Sequence, residues 1–156
     1  GTRTIGSKID DSLIETKAAV NIAKAHPDLD QRSHIVVASY NGVVLLAGQT
    51  PREELKQMAE QAASGVQRVK RVHNELQILQ PSSALARSND SWLTTKIKTQ
   101  MLADNSVPGS RIKVITENGI VYLLGLVTRQ EGSRATNLVQ GVAGVQRIVK
   151  LFEYID

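Results

Sequence analysis

At 156 residues, the chain has room for one domain of ordinary size or two small ones. It has no cysteine, which removes disulfides, thiolate metal sites and cysteine nucleophiles, and no stretch approaches the roughly 20 apolar residues that span a bilayer. The formal net charge is +4, with 10 basic and 9 acidic residues through Gln80 and 9 and 6 after it; this excess favours an anionic partner such as lipid headgroups or nucleic acid, although a solvated surface explains it equally well.

Residues 1–10, of mixed polarity with two glycines, read as a tether. A chain that opens on Gly1 without a signal-like segment reads as trimmed from a longer precursor. A helix follows, capped by Asp11 or Ser12, with Ser12 and Glu15 at capping-box spacing and Ile14, Ala18 and Ile22 as a buried stripe. His26-Pro27 ends it, because proline disfavours helical geometry in the residue before it. A hairpin over residues 35–48 comes next, turning on Asn41-Gly42, the pair that most readily takes positive φ, and closing at Gly48. Thr50 and Pro51 open a second helix that runs to about Ser64 and stops at Gly65, with Leu55, Met58, Ala59, Ala62 and Ala63 inward. A third strand, roughly Arg68 to Leu79, sets Val72, Leu76 and Ile78 on one side and Arg71, His73, Glu75 and Gln77 on the other.

Residues 81–88 form a polar linker, and the order then repeats. Asn89 or Asp90 caps a helix from Ser91 to about Ala103, and a second hairpin turns on Asn118-Gly119 and closes at Gly125. Thr128 caps a helix to about Gln140, and a strand from about Gln146 to Ile155 completes the copy. A spacing of 77 separates Gly42 from Gly119 and Gly48 from Gly125, whereas the first helices align at 79, so the first copy carries two extra residues near positions 27–33. Gly65-Val66-Gln67-Arg68 matches Gly144-Val145-Gln146-Arg147 letter for letter at 79. A spacing of 76 instead pairs Val66 with Val142, Val69 with Val145, Val72 with Ile148 and Leu76 with Phe152, and is preferred because it keeps the second helices almost equal in length.

The fold class is therefore α+β: two tandem domains, 11–80 and 89–156, each αββαβ. The second strand of each is almost wholly apolar, which places it centrally, and a right-handed crossover makes the third strand parallel to it with both helices on one face. The other sheet face is left partly open; Ile115, Val149, Leu151 and Ile155 there are too apolar for easy solvation, so cover by the other domain or a partner is expected.

Two helix–strand–strand–helix–strand units, each with an Asn-Gly hairpin, a closing glycine and a valine-rich end (65–76 and 141–152), resemble BON domains over nearly the whole chain. Asp10-Asp11, Ser88-Asn89-Asp90-Ser91-Trp92, and the run from Thr116-Glu117-Asn118-Gly119 to Gly125-Leu126-Val127-Thr128 resemble more narrowly the dual-BON outer-membrane lipoproteins. The resemblance implies a non-enzymatic protein without a cofactor, at the periplasmic face of the outer membrane, held by a lipid on an N-terminal cysteine that is not among these residues. It also implies binding of anionic phospholipid, phosphatidylglycerol or cardiolipin, through the second domain, and a contribution to envelope integrity.

The residues supply a candidate surface of their own. On the first helix of the second domain Leu93, Ile97 and Met101 form the core stripe, while Trp92, Thr95, Thr99 and Leu102 share a neighbouring face flanked by Lys96 and Gln100. A tryptophan suits a membrane interface, its ring apolar and its N–H free to stay among headgroups; plugging the domain edge is the competing reading, level with it on the residues alone. Leu126-Val127, between Gly125 and Thr128, places two large apolar residues in an expected loop where the first copy has Gln49-Thr50. Trp92, Leu102, Leu126 and Val127 are thus the expected apolar patch, with backbone N–H groups near Thr128 open to a phosphate. Lys96, Lys98 or Arg129 would each add on the order of 1 kcal/mol near an anionic surface. The matching stripe of the first domain, Leu13, Thr16, Val20 and Ala23, reads as packing against the other domain.

Other functions fit less well. His26, His34 and His73 have no metal-ligand spacing, and no nucleophile elbow or Walker loop is present. Gly141-Val142-Ala143-Gly144 spells the GxxG of KH-type RNA binders, yet it leads from helix to strand, carries no basic residue, and belongs to a chain with five aromatics, so no nucleic acid is expected. An adaptor that binds an envelope protein or cell-wall polymer through the open sheet face is the alternative to lipid.

Overall fold

The computed structural model describes residues 3–156. The chain forms two units, Thr4–Ser82 and Ser83–Asp156. The first contains helix α1 (Ile5–Ala25), the short helix α2 (Pro27–Gln31), strands β1 (His34–Tyr40) and β2 (Val43–Thr50), helix α3 (Glu53–Ser64), and strands β3 (Arg71–Asn74) and β4 (Gln77–Ile78). The second contains α4 (Ala84–Ala103), a 3-10 turn at Gly109–Arg111, β5 (Ile112–Glu117), β6 (Ile120–Val127), α5 (Arg129–Gln140) and β7 (Arg147–Tyr154).

The αββαβ order holds in both units. β1 and β5 run antiparallel to β2 and β6, and the third strand of each unit runs parallel on the other side. The hairpins turn through Asn41 (φ 52°) and Gly42 (φ 78°), and through Asn118 (φ 52°) and Gly119 (φ 76°), the left-handed pair that matches strand twist. The two long helices of each unit pack on one sheet face. In the second unit Leu93, Ile97 and Met101 of α4 and Ala135 and Val139 of α5 bury Val114, Val121, Leu123 and Phe152 of the sheet. In the first, Ile14, Ala18 and Ile22 join Leu55, Ala59 and Ala63 over Val44 and Leu46. Of the side chains expected on the opposite face, Ile115, Val149 and Leu151 are half-buried and Ile155 is exposed.

The spacing of 76 at the repeat ends is the structural one. Lys70 N donates to Gly42 O and Gln146 N to Gly119 O, both at 2.8 Å. Positive φ recurs at Arg68 (75°) and Gly144 (100°), so the first copy holds an arginine where the backbone favours glycine.

Four expectations need correction. The tether at 1–10 is shorter: Gly1 and Thr2 lie outside the described residues, and α1 begins at Ile5 with the Thr4 hydroxyl accepting from Ser7 N. Likewise α4 begins at Ala84, capped by Ser83, so residues 84–88 of the expected linker are helix. Thr50 does not cap α3; it is buried at the end of β2, where its hydroxyl pairs with Ser33 Oγ. The third strand of the first unit is interrupted, because Asn74 turns its amide to Lys56 O and accepts from Leu76 N. The register survives this break, since Val43 pairs with Arg71 and Thr50 with Ile78 at the same separation. Of the residues set on one side of this strand, Leu76 is buried while Ile78, beyond the break, is exposed.

Candidate functional site

Asp11 and Asp90 are not caps. Each is a full turn inside its helix and buried, at 2% and 5% exposure. The Asp90 carboxylate accepts from the backbone N–H groups of Asn118 and Gly119, both at 2.9 Å. Asp11 accepts from Asn41 N at 2.7 Å, Gly42 N at 2.9 Å and the Ser39 hydroxyl at 2.7 Å. A tight left-handed turn leaves its N–H groups pointing together, and a carboxylate is the acceptor that can satisfy two at once. The aspartates therefore lock the first helix of each unit onto its hairpin.

That lock determines what the outer face of α4 carries. The only acidic residue of the helix is turned inward, and its other charges, Arg87, Lys96 and Lys98, are exposed or half-buried. Trp92 is 64% exposed and Leu102 71%. The extra N-terminal turns add Leu85, at 73% exposure, which sequence reasoning missed by treating it as linker. At about 100° per residue, Leu85, Trp92, Thr95, Lys96, Thr99 and Leu102 fall within a sector of about 120°. Their i, i+7 spacing from Leu85 to Trp92, together with Ser83 as a cap, was the signal for the longer helix. Gln100 is exposed at the margin of this face.

The exit of the second hairpin does not join that face. Gly125, Leu126 and Val127 belong to strand β6. Val127 is fully buried in the core with Val121 and Leu123, so it is not a surface residue as expected. Alternation along the strand turns half-buried Leu126 to the face of the sheet away from α4. Gly125 is required for backbone reasons: at φ 155° a Cβ would run into the carbonyl of Arg111. The corresponding Gln49-Thr50 is no exposed polar loop either, for both side chains are buried and Gln49 Oε1 accepts from Ser82 N.

The amides of Thr128, Arg129 and Glu131 are already taken. Thr128 caps α5 in a capping box, its hydroxyl accepting from Glu131 N while its own N–H donates to Glu131 Oε1. Arg129 N donates to Asp156 Oδ1, and the Arg129 guanidinium binds the Asp156 carbonyl at 2.7 Å over the Tyr154 ring. The Glu131 carboxyl is held below its ordinary value by the Thr128 backbone hydrogen bond and by Arg111 at 2.6 Å. Two carboxylates thus already occupy this helix start. Among the described residues, no group of three or more His, Asp or Glu side chains could hold a metal ion, and no helix is long and apolar enough to cross a membrane.

A family model described as BON domain matches residues 10–80 and 89–156. The chain is 39% identical to the outer membrane lipoprotein DolP of Haemophilus influenzae over 154 residues, covering 99% of this chain and 79% of that protein. It is 35% identical to the 21 kDa hemolysin of Actinobacillus pleuropneumoniae, with the same coverage. Osmotically-inducible protein Y of Escherichia coli is 31% identical over 92% of this chain and 72% of its own length.

Proposed function

The chain belongs to the BON family, with two copies of the domain in tandem, and on that premise we propose that it is a non-enzymatic, outer-membrane-associated envelope protein that binds anionic phospholipid through the outer face of α4. Its similarity to an outer membrane lipoprotein supports the location, with attachment by an N-terminal lipid and a role in envelope integrity as part of the proposal. The observation that carries the binding reading is the composition of that face: Leu85, Trp92 and Leu102 exposed, hydroxyls between them, and no outward carboxylate. A helix of this kind lies in the interface plane, apolar side chains among the upper acyl chains and lysines at headgroup level. Burial of one such side chain contributes about 1.5–3 kcal/mol at most, so three of them and a few cations give reversible, peripheral attachment.

Lys96, Thr95, Thr99 and Gln100 lie beside the tryptophan and are assigned to headgroup contact. Gly125, Val127 and Thr128 are assigned to the scaffold, and Leu126 is removed from the contact surface. Flotation with phosphatidylglycerol-containing or pure phosphatidylcholine vesicles tests the reading. Trp92→Glu is expected to lower recovery with the anionic vesicles by at least about tenfold, with an unchanged circular dichroism spectrum because the side chain is exposed. Equal recovery of wild type and variant ends it.

A further inference from the structure

The first unit repeats the surface just described, on a helix stripe that the sequence assigned to packing against the other domain. Ile5, Ile9, Leu13 and Val20 of α1 are 79%, 56%, 50% and 44% exposed. Measured around the helix from Leu13, they fall in the same sector of about 120° that Leu85, Trp92 and Leu102 occupy around α4 measured from Trp92. Thr16 and Lys17 stand where α4 has Thr95 and Lys96, at the 79-residue spacing of the first helices.

Charge decides which occupant suits this face. α1 has three carboxylates, and two are turned from it: Asp11 is locked under the hairpin and Glu15 accepts from Ser39 N at 2.9 Å, while Asp10, at the margin of the face beside Lys17, is matched by Arg68 at 3.0 Å. The three exposed charged side chains of the helix are Lys8, Lys17 and Lys24. A helix with an apolar stripe, Lys17 and Lys24 along its margin and its one marginal carboxylate matched by Arg68 complements a surface that is apolar inside and anionic outside. A second copy of the same face would instead set lysine against lysine.

We propose that α1 is a second lipid-contacting helix, with Ile5, Ile9, Leu13 and Val20 entering the interface of an anionic bilayer and Lys17 and Lys24 at headgroup level. This rests on the same chemistry as the reading of α4 but not on the same residues, so the two fail separately.

The test reads depth at one position at a time in the full chain. In the wild type the single tryptophan reports on α4; in a Leu13→Trp, Trp92→Phe variant it reports on α1. Each protein is mixed with phosphatidylglycerol vesicles carrying brominated acyl chains, and quenching is compared with unbrominated vesicles. The α1 reporter is expected to lose at least about half of its emission and to shift to the blue, as an interfacial indole does. Quenching of the wild-type reporter without quenching of the α1 reporter overturns the proposal and leaves α4 standing; quenching of the α1 reporter alone does the reverse. A concentration-dependent blue shift of the α1 reporter without lipid, unchanged when vesicles are added, assigns the face to a second copy and overturns the proposal. Ile9→Glu with Leu13→Glu, both at exposed positions, provides a check without new aromatics: recovery with anionic vesicles should fall by at least about tenfold while the circular dichroism spectrum is retained.

Discussion

A buried carboxylate is useful only while its partners are in place, and Asp90 and Asp11 illustrate this in parallel. Each satisfies N–H groups that would otherwise be stranded inside the protein. Asp90→Asn sets an amide donor among those N–H groups and should destabilise the fold by about 1–3 kcal/mol, measured by urea denaturation, with faster amide exchange at Asn118 and Gly119. His73 makes a contrasting prediction. Its Nε2 is buried without a hydrogen-bond partner, and burial pushes the imidazole below its usual 6.5. The unfolded chain takes up the proton first as pH falls, so the histidine's neutral burial stabilises above pH 6.5 and this contribution is lost below it. A His73→Gln variant should show a flatter dependence of the unfolding midpoint between pH 7 and pH 5 than the wild type.

Elements were legible in the sequence where their signal was local. Both Asn-Gly turns, the Thr128 cap and the Ser64 and Ala103 helix ends rest on neighbouring residues, and they stand where the pattern put them. The helix starts were misplaced because aspartate near a helix beginning is the common signature of a cap, whereas Asp11 and Asp90 serve turns about 30 residues further on. Val127 was misjudged because Gly125 looked like the end of the strand; the period-two alternation through Val121, Leu123 and Val127 runs past it. Glycine ends nothing there but admits the Arg111 carbonyl, so Gly125→Ala should unfold the second unit or lower its stability by several kcal/mol, about 3 or more, an effect on folding and not on lipid. At this scale α4 and α1 have exposed apolar stripes that only their full lengths make visible, because Leu85, Ile5 and Ile9 lie in residues that read as linker and tether.

For the molecule as a whole, duplication explains why one scaffold has two versions of each feature. Lock, turn and central strand recur, while the outer helix residues differ, Leu13 against Trp92 and Val20 against Thr99. The net charge of +4 includes the lysines that border these faces, so attachment to anionic vesicles should weaken as salt rises from about 0.05 to 0.5 M, where the screening length shrinks from more than about 10 Å to a few. A remainder that persists at high salt would measure the apolar contribution of Trp92 and its neighbours.

The occupied start of α5 carries this further. With Glu131 and Asp156 holding the amides of Thr128 and Arg129, this helix start offers no ready cradle shaped to one headgroup. On the proposed reading, recognition falls to the flat cationic flank of a helix, which responds to the density of negative charge and is indifferent to headgroup stereochemistry. Vesicles of phosphatidylglycerol, cardiolipin or phosphatidylserine, matched in surface potential, should therefore recruit the protein equally; a marked preference among them at equal potential would require a headgroup pocket elsewhere.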